Sequence, residues 1–335
     1  MLRLFLYVLA WPVGLVLLLS LHGWMRTEFP APPAEPAARG AVRSPAAQHQ
    51  ARAVLERFER LTPAEQQALA ARLRAVVRPL DAWFERLDRG AYSVVCLGEF
   101  HAPATRRFVA EVFLPRYAPD VLLLEATPPE LARMRSRTAA ARPYVPLLGA
   151  DIAAVLRAAE AARPGVIVRG IEETAEQVRT RRGREGSRDH SLARNFWLEY
   201  RPGARHVILC GALHCTDDAG WLYRLLQEQS PPREALRMLS VQVLGVHQHG
   251  PLEAFATFLG ALGMGADGFA IVDTGRVPPL VRDWFGLLDQ QVLGRVDALV
   301  VFRRPAARDG ARQRGAGRGD PPRWMPAGAA PGRDT

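Results

Sequence analysis

The chain predicts a single α/β domain with a largely parallel central sheet flanked by helices, preceded by a helical lead-in. Three observations predict it. From residue 91 onward, short apolar runs alternate with helix-length segments, the pattern of right-handed β-α-β crossovers. The 335 residues are 48% apolar, enough to bury a large core. Two of the apolar runs end in similar tetrapeptides, Gly98-Glu99-Phe100-His101 and Gly211-Ala212-Leu213-His214. Carboxylate and imidazole groups are thereby delivered to carboxyl ends of strands, where open α/β sheets bind their ligands.

Taken in order, residues 1–25 carry Arg3 and then the uncharged run Leu4 to Leu21, with Trp24 beyond it. Eighteen such residues span a bilayer core of about 30 Å. They read as a transmembrane signal anchor or, alternatively, a signal peptide, although no small-x-small cleavage site follows immediately. Residues 26–47 are dense in Pro and Ala and read as an extended tether. The globular domain is expected over 48–304, with 48–88 as its helical lead-in. Within that lead-in, Gln48 to Arg60 and Pro63 to Leu87 read as two helices. Thr62, Pro63 and Glu65 form a capping box with proline at the first helical position, and Pro79 should kink or interrupt the second helix.

Seven strands follow from their apolar runs: Val94 to Leu97, Val121 to Leu124, Val166 to Arg169, His206 to Cys210, Met238 to Leu244, Phe269 to Val272 and Ala298 to Phe302. Helices are expected over Pro103 to Tyr117, Asp151 to Arg163, Ser187 to Tyr200 and Asp217 to Glu228. The late strands have less helix between them, which allows an antiparallel edge. Residues 305–335, rich in Gly, Pro and Arg, read as a disordered basic tail.

Composition narrows the function. All 44 basic residues are arginine, and the net charge is +10. Eight arginines against three aspartates from Arg303 to Thr335 supply half of that charge. No basic patch is interleaved with aromatics, so no specific nucleic-acid partner is expected. The three cysteines, Cys96, Cys210 and Cys215, contain no C-x-x-C pair. Cys96 and Cys210, inside predicted strands, read as small buried hydrophobes, and the three together make neither a disulfide framework nor a zinc-finger pattern.

Glu99 and His101, two apart on an extended strand end, point to the same side and suit general acid–base work or metal ligation. Gly98 should let the backbone turn tightly there. Glu125 ends the next strand, and His214 lies just past the strand that ends in Gly211. Glu172-Glu173 ends another strand and reads equally as a solvated pair. Arg188-Asp189 opens a helix: Asp189 suits the helix dipole, and Arg188 can clamp an anionic group. His206 starts its strand at the opposite edge and is discounted. His247 and His249 form a His-x-His that lacks a third ligand in sequence.

In order along the chain, Gly98-Glu99-Phe100-His101, Glu125, Arg188-Asp189-His190-Ser191-Leu192-Ala193-Arg194-Asn195, Gly211-Ala212-Leu213-His214 and the closing run Asp297-Ala298-Leu299-Val300-Val301-Phe302 resemble the erythromycin esterase/ChaN-like superfamily, to which the TraB and Tiki proteins are related. The resemblance covers roughly Ala91 to Arg303. It implies one α/β domain with a Glu/His-lined cleft, in a group that includes esterases, metal-dependent peptidases and haem-binding lipoproteins. By motif match, Glu99, His101, Glu125, Arg188 and His214 take the site positions. The chain departs from the lipoprotein members in lacking an acylatable cysteine, and it has no clear counterpart of a haem-ligating tyrosine.

The expected function is a membrane-tethered hydrolase of an ester or amide bond in a small-molecule or peptide substrate. Its placement would be a bacterial-type inner membrane, with the globular domain in the periplasm. In a metal-dependent variant, Glu99, His101 and His214 would hold a divalent ion that activates water. The competing expectations are a haem-, iron- or small-ligand-binding protein without turnover, and an anchored interaction module that works through its basic tail.

Overall fold

The computed structural model describes residues 44–90, 92–135, 150–181, 187–230, 236–246, 250–265, 268–286 and 295–303. The apolar run 4–21, most of the tether, His247, His249 and the basic tail lie outside the described residues. Among the described residues, no helix is long and apolar enough to cross a membrane.

The lead-in begins at Pro45, three residues ahead of the expected start, because Ser44 caps it by accepting the Ala47 N–H. Helix α1 spans Pro45–Glu59 and α2 spans Pro63–Val76, the latter opened by the Thr62/Glu65 capping box. The second helix is interrupted at Pro79, as expected, and the break is more than a kink. Val77–Pro79 is instead a short edge strand, β1, and the helix resumes as α3, Leu80–Gly90. Pro79 cannot continue a helical ladder but is tolerated at a sheet edge.

Strand β2 is Val94–Glu99. The next helical stretch runs through α4 (Pro103–Phe108), a π-turn at Val109–Phe113 and α5 (Leu114–Tyr117). Then come β3 (Val121–Leu124), α6 (Pro128–Arg135), α7 (Ala150–Ala162), β4 (Ile167–Gly170), α8 (Ala175–Arg181), α9 (Arg188–Glu199) and β5 (His206–Gly211). A 3-10 turn at Ala212–Cys215 follows β5, and helix α10 (Leu222–Gln229) begins later than the expected start at Asp217. The chain ends with β6 (Met238–Gly245), α11 (Gly250–Ala261), β7 (Gly268–Val272), α12 (Pro279–Phe285) and β8 (Ala298–Phe302).

The strands form one eight-stranded sheet in the order β1-β7-β8-β6-β2-β5-β3-β4. It is parallel from β8 to β4, and the β1-β7-β8 end is antiparallel, as the short late connections allowed. Alternation along β2 feeds both faces. Val95 and Leu97 pack with Phe108, Phe113 and Val155, whereas Val94 and Cys96 pack with Leu192, Phe196 and Leu222. A third apolar cluster joins α1, α2 and α11 to β7 and β8 through Leu73, Phe255, Phe258, Phe269 and Val301.

The parallel pairing has a direct consequence for the site. β2 and β5 are neighbours in register, with Glu99 opposite Gly211, and β3 lies on the far side of β5. The two tetrapeptides and Glu125 therefore emerge side by side at one edge of the sheet.

Candidate active site

The carboxyl ends of β2, β3 and β4 and the start of α9 enclose a cavity of about 180 Å³, lined among others by Glu99, His101, Arg106, Glu125, Glu172 and Arg188. The local fold explains each position. Glu99 is the last residue of β2 and is 3% exposed. His101 makes the turn into α4 with a left-handed backbone, φ 53°. That conformation is costly for a residue with a Cβ and tends to mark sites where geometry is imposed. The tight turn expected at Gly98 thus falls on His101. Gly98 is needed for another reason: a Cβ there would lie 2.9 Å from Gln242 Oε1 and 3.2 Å from the Ala212 backbone.

Glu99 is held by a residue absent from the expected set. Arg106, itself 3% exposed, donates its Nε–H to Glu99 Oε1 at 2.9 Å and Oε2 at 3.2 Å. Its Nη2 lies 3.2 Å from His101 Nδ1, which is also 3.4 Å from Glu99 Oε1. The other ring nitrogen, Nε2, faces Glu125 Oε2 at 3.8 Å.

Glu125 is the hub. Its Oε2 accepts the Gly211 N–H at 2.6 Å, and its Oε1 accepts Arg188 Nη2 at 2.5 Å and lies 3.6 Å from His214 Nε2. Burial alone would raise its pKa, but the hydrogen bonds with His214, Arg188 and the Gly211 amide hold it down to about 2. Arg188 also donates through Nε to Glu172 Oε1 at 2.8 Å and through Nη2 to Glu172 Oε2. These bonds to Glu172, then to Glu125, raise its already high pKa. Glu172 is thereby a member of the site rather than half of a solvated pair. Asn195 fixes the Glu172 loop, donating to the carbonyls of Ile171 and Glu172 at 3.1 Å each.

His214 stands behind this layer, 6% exposed and edge-on to Trp221. Its Nδ1 contacts Asp189 Oδ2 at 2.7 Å, and the same oxygen accepts the Leu222 N–H at 2.7 Å. Asp189, expected to serve the helix dipole, instead orients His214. Burial would lower the pKa of His214, but its hydrogen bonds with Asp189 and Glu125 raise it to about 9. Arg188 Nη1, which can only donate, lies 3.2 Å from Nε2, and the Asp189 and Glu125 carboxylates offset this cationic neighbour.

The signs of these shifts predict a stability profile. The His214 contribution is complete below its ordinary pKa of 6.5 and is lost as pH rises through about 9. The Glu125 contribution is complete above its ordinary 4.5 and is lost as pH falls through about 2. Urea midpoints should therefore be highest between pH 4.5 and 6.5 and decline on the alkaline side. In Asp189→Asn the alkaline decline should flatten.

The metal set expected from sequence does not fit. Arg106 engages both oxygens of Glu99, Asp189 occupies one His214 nitrogen, and the Arg188 guanidinium abuts the other. Two guanidinium groups among the donors oppose a cation. Among the described residues, only Cys96, Cys210 and Cys215 bring three donor atoms within 4.8 Å of one another. Those cysteines also depart from expectation, because Cys96 and Cys215 are joined by a disulfide across 119 residues. His206, discounted from sequence, is buried and satisfied: its Nε2 accepts the Arg201 N–H at 3.1 Å, and burial lowers its pKa.

No family model matches the chain. No curated protein matches it either. Among solved structures, the crystal structure of a Bacillus cereus protein aligns over 71% of this chain and 97% of its own, with 12% identity and a TM-score of 0.40. A larger cavity, about 470 Å³, lies at the opposite edge of the sheet beside Trp83, Tyr223, Ser240 and Asp297. None of the expected site residues lines it. Asp297 there is already committed, accepting the Tyr223 hydroxyl and the Ser240 N–H at 2.8 Å each.

Proposed function

We propose that the domain is an acid–base hydrolase of a carboxylic ester or amide, tethered to a bacterial-type inner membrane by residues 1–25 and facing the periplasm. The resemblance of its motifs to the erythromycin esterase/ChaN-like superfamily supports this reading. The observation that carries it is the position of His101, a partly exposed imidazole on a left-handed backbone that lines the cavity between two carboxylates.

His101 acts as the base in the tautomer that carries its proton on Nδ1, directed at Glu99 Oε1 3.4 Å away. That tautomer requires the Arg106 Nη2 contact with Nδ1 to open, because a guanidinium can only donate. Nε2 then presents its lone pair to a water molecule. Taking that proton makes an imidazolium flanked by Glu99 and Glu125, which stabilise it. The resulting hydroxide adds to the carbonyl carbon. Arg188 Nη1, the arm that meets no carboxylate among the bonds described, is the cationic donor we assign to the oxyanion. His101 then returns its proton to the leaving alcohol or amine. His214 and Asp189 hold Glu125 and Arg188 in place rather than meeting the substrate. A cavity of about 180 Å³ accepts the reacting end of a molecule; pockets for drug-sized ligands run to about 300–1,000 Å³. That size favours hydrolysis over capture of a macrocycle such as haem.

The test is a panel of p-nitrophenyl and 4-methylumbelliferyl esters and amino-acid anilides, offered to the purified domain with and without chelator. Turnover that resists chelation supports the reading, and binding without turnover across the panel sinks it. Gly211→Ala should be informative on the same panel. Its backbone, φ −56° and ψ 148°, accepts alanine, so the fold should survive. The new Cβ would lie 3.1 Å from His101 Nε2 and 3.4 Å from both Glu125 Oε2 and His214 Cδ2. Displacing the base by a fraction of an ångström should lower kcat by about 10- to 100-fold, with the thermal midpoint little changed.

A further inference from the structure

Cys210 keeps its thiol beside the Cys96–Cys215 disulfide. Its Sγ lies 3.5 Å from Cys215 Sγ and 4.0 Å from Cys96 Sγ. It thus sits alongside the bond, nearly equidistant from both sulfurs. Thiol–disulfide exchange displaces one sulfur by another through a mixed disulfide, and it proceeds best with the attacking sulfur beyond the end of the bond. This arrangement is a triangle instead. The three sulfurs come from β2, the end of β5 and the 3-10 turn, elements fixed by the core, and all three cysteines are buried.

We propose that the reduced form of this cluster is a three-thiolate site for a thiophilic divalent d10 cation of the zinc and cadmium class, and that the disulfide is its closed, oxidised form. The dimensions carry the proposal. Zinc–thiolate bonds are about 2.3 Å, so three thiolates around one ion make a triangle with edges of about 4 Å. Two edges already have nearly that length. Charge points the same way. All three sulfurs are buried, where an unpaired charge is poorly solvated. Bare thiolates are therefore costly here, while a dication on three thiolates leaves one net negative charge instead of three. Sulfur donors select soft ions over magnesium or calcium.

The redox step balances with an external dithiol or phosphine. Two electrons and two protons convert the disulfide to two thiols, and ion binding then releases thiol protons. Either state ties β2 to the segment that delivers the Gly211 amide and His214, since Cys210 precedes Gly211 and Cys215 follows His214. The site is independent of the hydrolase reading.

The experiment titrates Cd²⁺ into the domain reduced anaerobically with a phosphine, following the thiolate-to-cadmium charge-transfer absorbance. One ion per chain is expected in the reduced protein and none in the oxidised protein. Cys210→Ser should bind at least about tenfold more weakly and lose about a third of the absorbance, as removal of one of three thiolates requires. If reduction melts the fold, recovery of the native circular dichroism on adding Cd²⁺ replaces the absorbance readout. Absence of a charge-transfer band or recovery in the wild type, or a Cys210→Ser variant that binds like wild type, overturns the proposal.

Discussion

His101→Asn should lower turnover by about 10²- to 10⁴-fold, the range typical for removal of a positioned general base, while leaving the fold intact. Asparagine is the informative replacement because it tolerates the left-handed backbone that His101 adopts at φ 53°. Alanine would combine loss of the base with backbone strain. His101 belongs to none of the three apolar clusters, and its side chain is 28% exposed, so little packing is lost. The measurement pairs hydrolysis of the best ester from the panel with a thermal melt. Turnover within threefold of wild type would remove His101 from the chemistry. His214→Ala makes the contrast. His214 is buried between Asp189 and Trp221, and its removal leaves the Asp189 carboxylate with only the Leu222 amide as its neighbour among the bonds described. That variant should lose stability as well as activity.

The central parallel strands were legible because they are buried on both faces and so read as unbroken apolar runs, as Val121 to Leu124 and Val207 to Cys210 do. The same logic brings Glu99, Glu125 and His214 to one sheet edge, since residues just past parallel strands emerge there together. Long-range partners were not legible. Arg106 and Arg107 are adjacent and look alike in the sequence. Only the helical turn decides that Arg106 points inward to Glu99. Asp189 occupies an ordinary first-turn acidic position, and nothing local says that it faces His214, 25 residues on. The disulfide joins residues 119 apart, beyond any spacing rule. Helix α11 was missed because Leu252, Ala254, Phe255, Ala256, Phe258 and Leu259 are all buried, which erases the polar face that periodicity needs. β1 was missed because three residues carry no period, and only pairing with β7 makes them a strand.

Arg106→Met should be the most destabilising single change at the site. Methionine matches the length of the arginine stem and keeps its packing, so the lost interaction is electrostatic. The Glu99 carboxylate, 3% exposed, would lose the Arg106 Nε–H donor that spans both its oxygens. Removing one member of a buried ion pair costs about 3–5 kcal/mol, because the other charge remains desolvated. For a domain of this size that corresponds to a fall in Tm of about 10 °C. Glu99→Gln with Arg106 intact should also destabilise, by stranding the guanidinium. The double variant should recover most of the loss, since two neutral side chains leave no unpaired charge. Activity should separate from stability. The double variant is expected to melt near wild type yet turn over slowly, because His101 then lacks both the carboxylate at Nδ1 and the guanidinium that sets its ring. Additive stability losses in the double variant would show that Arg106 and Glu99 act independently. Wild-type turnover in it would show that the pair holds the fold and not the base.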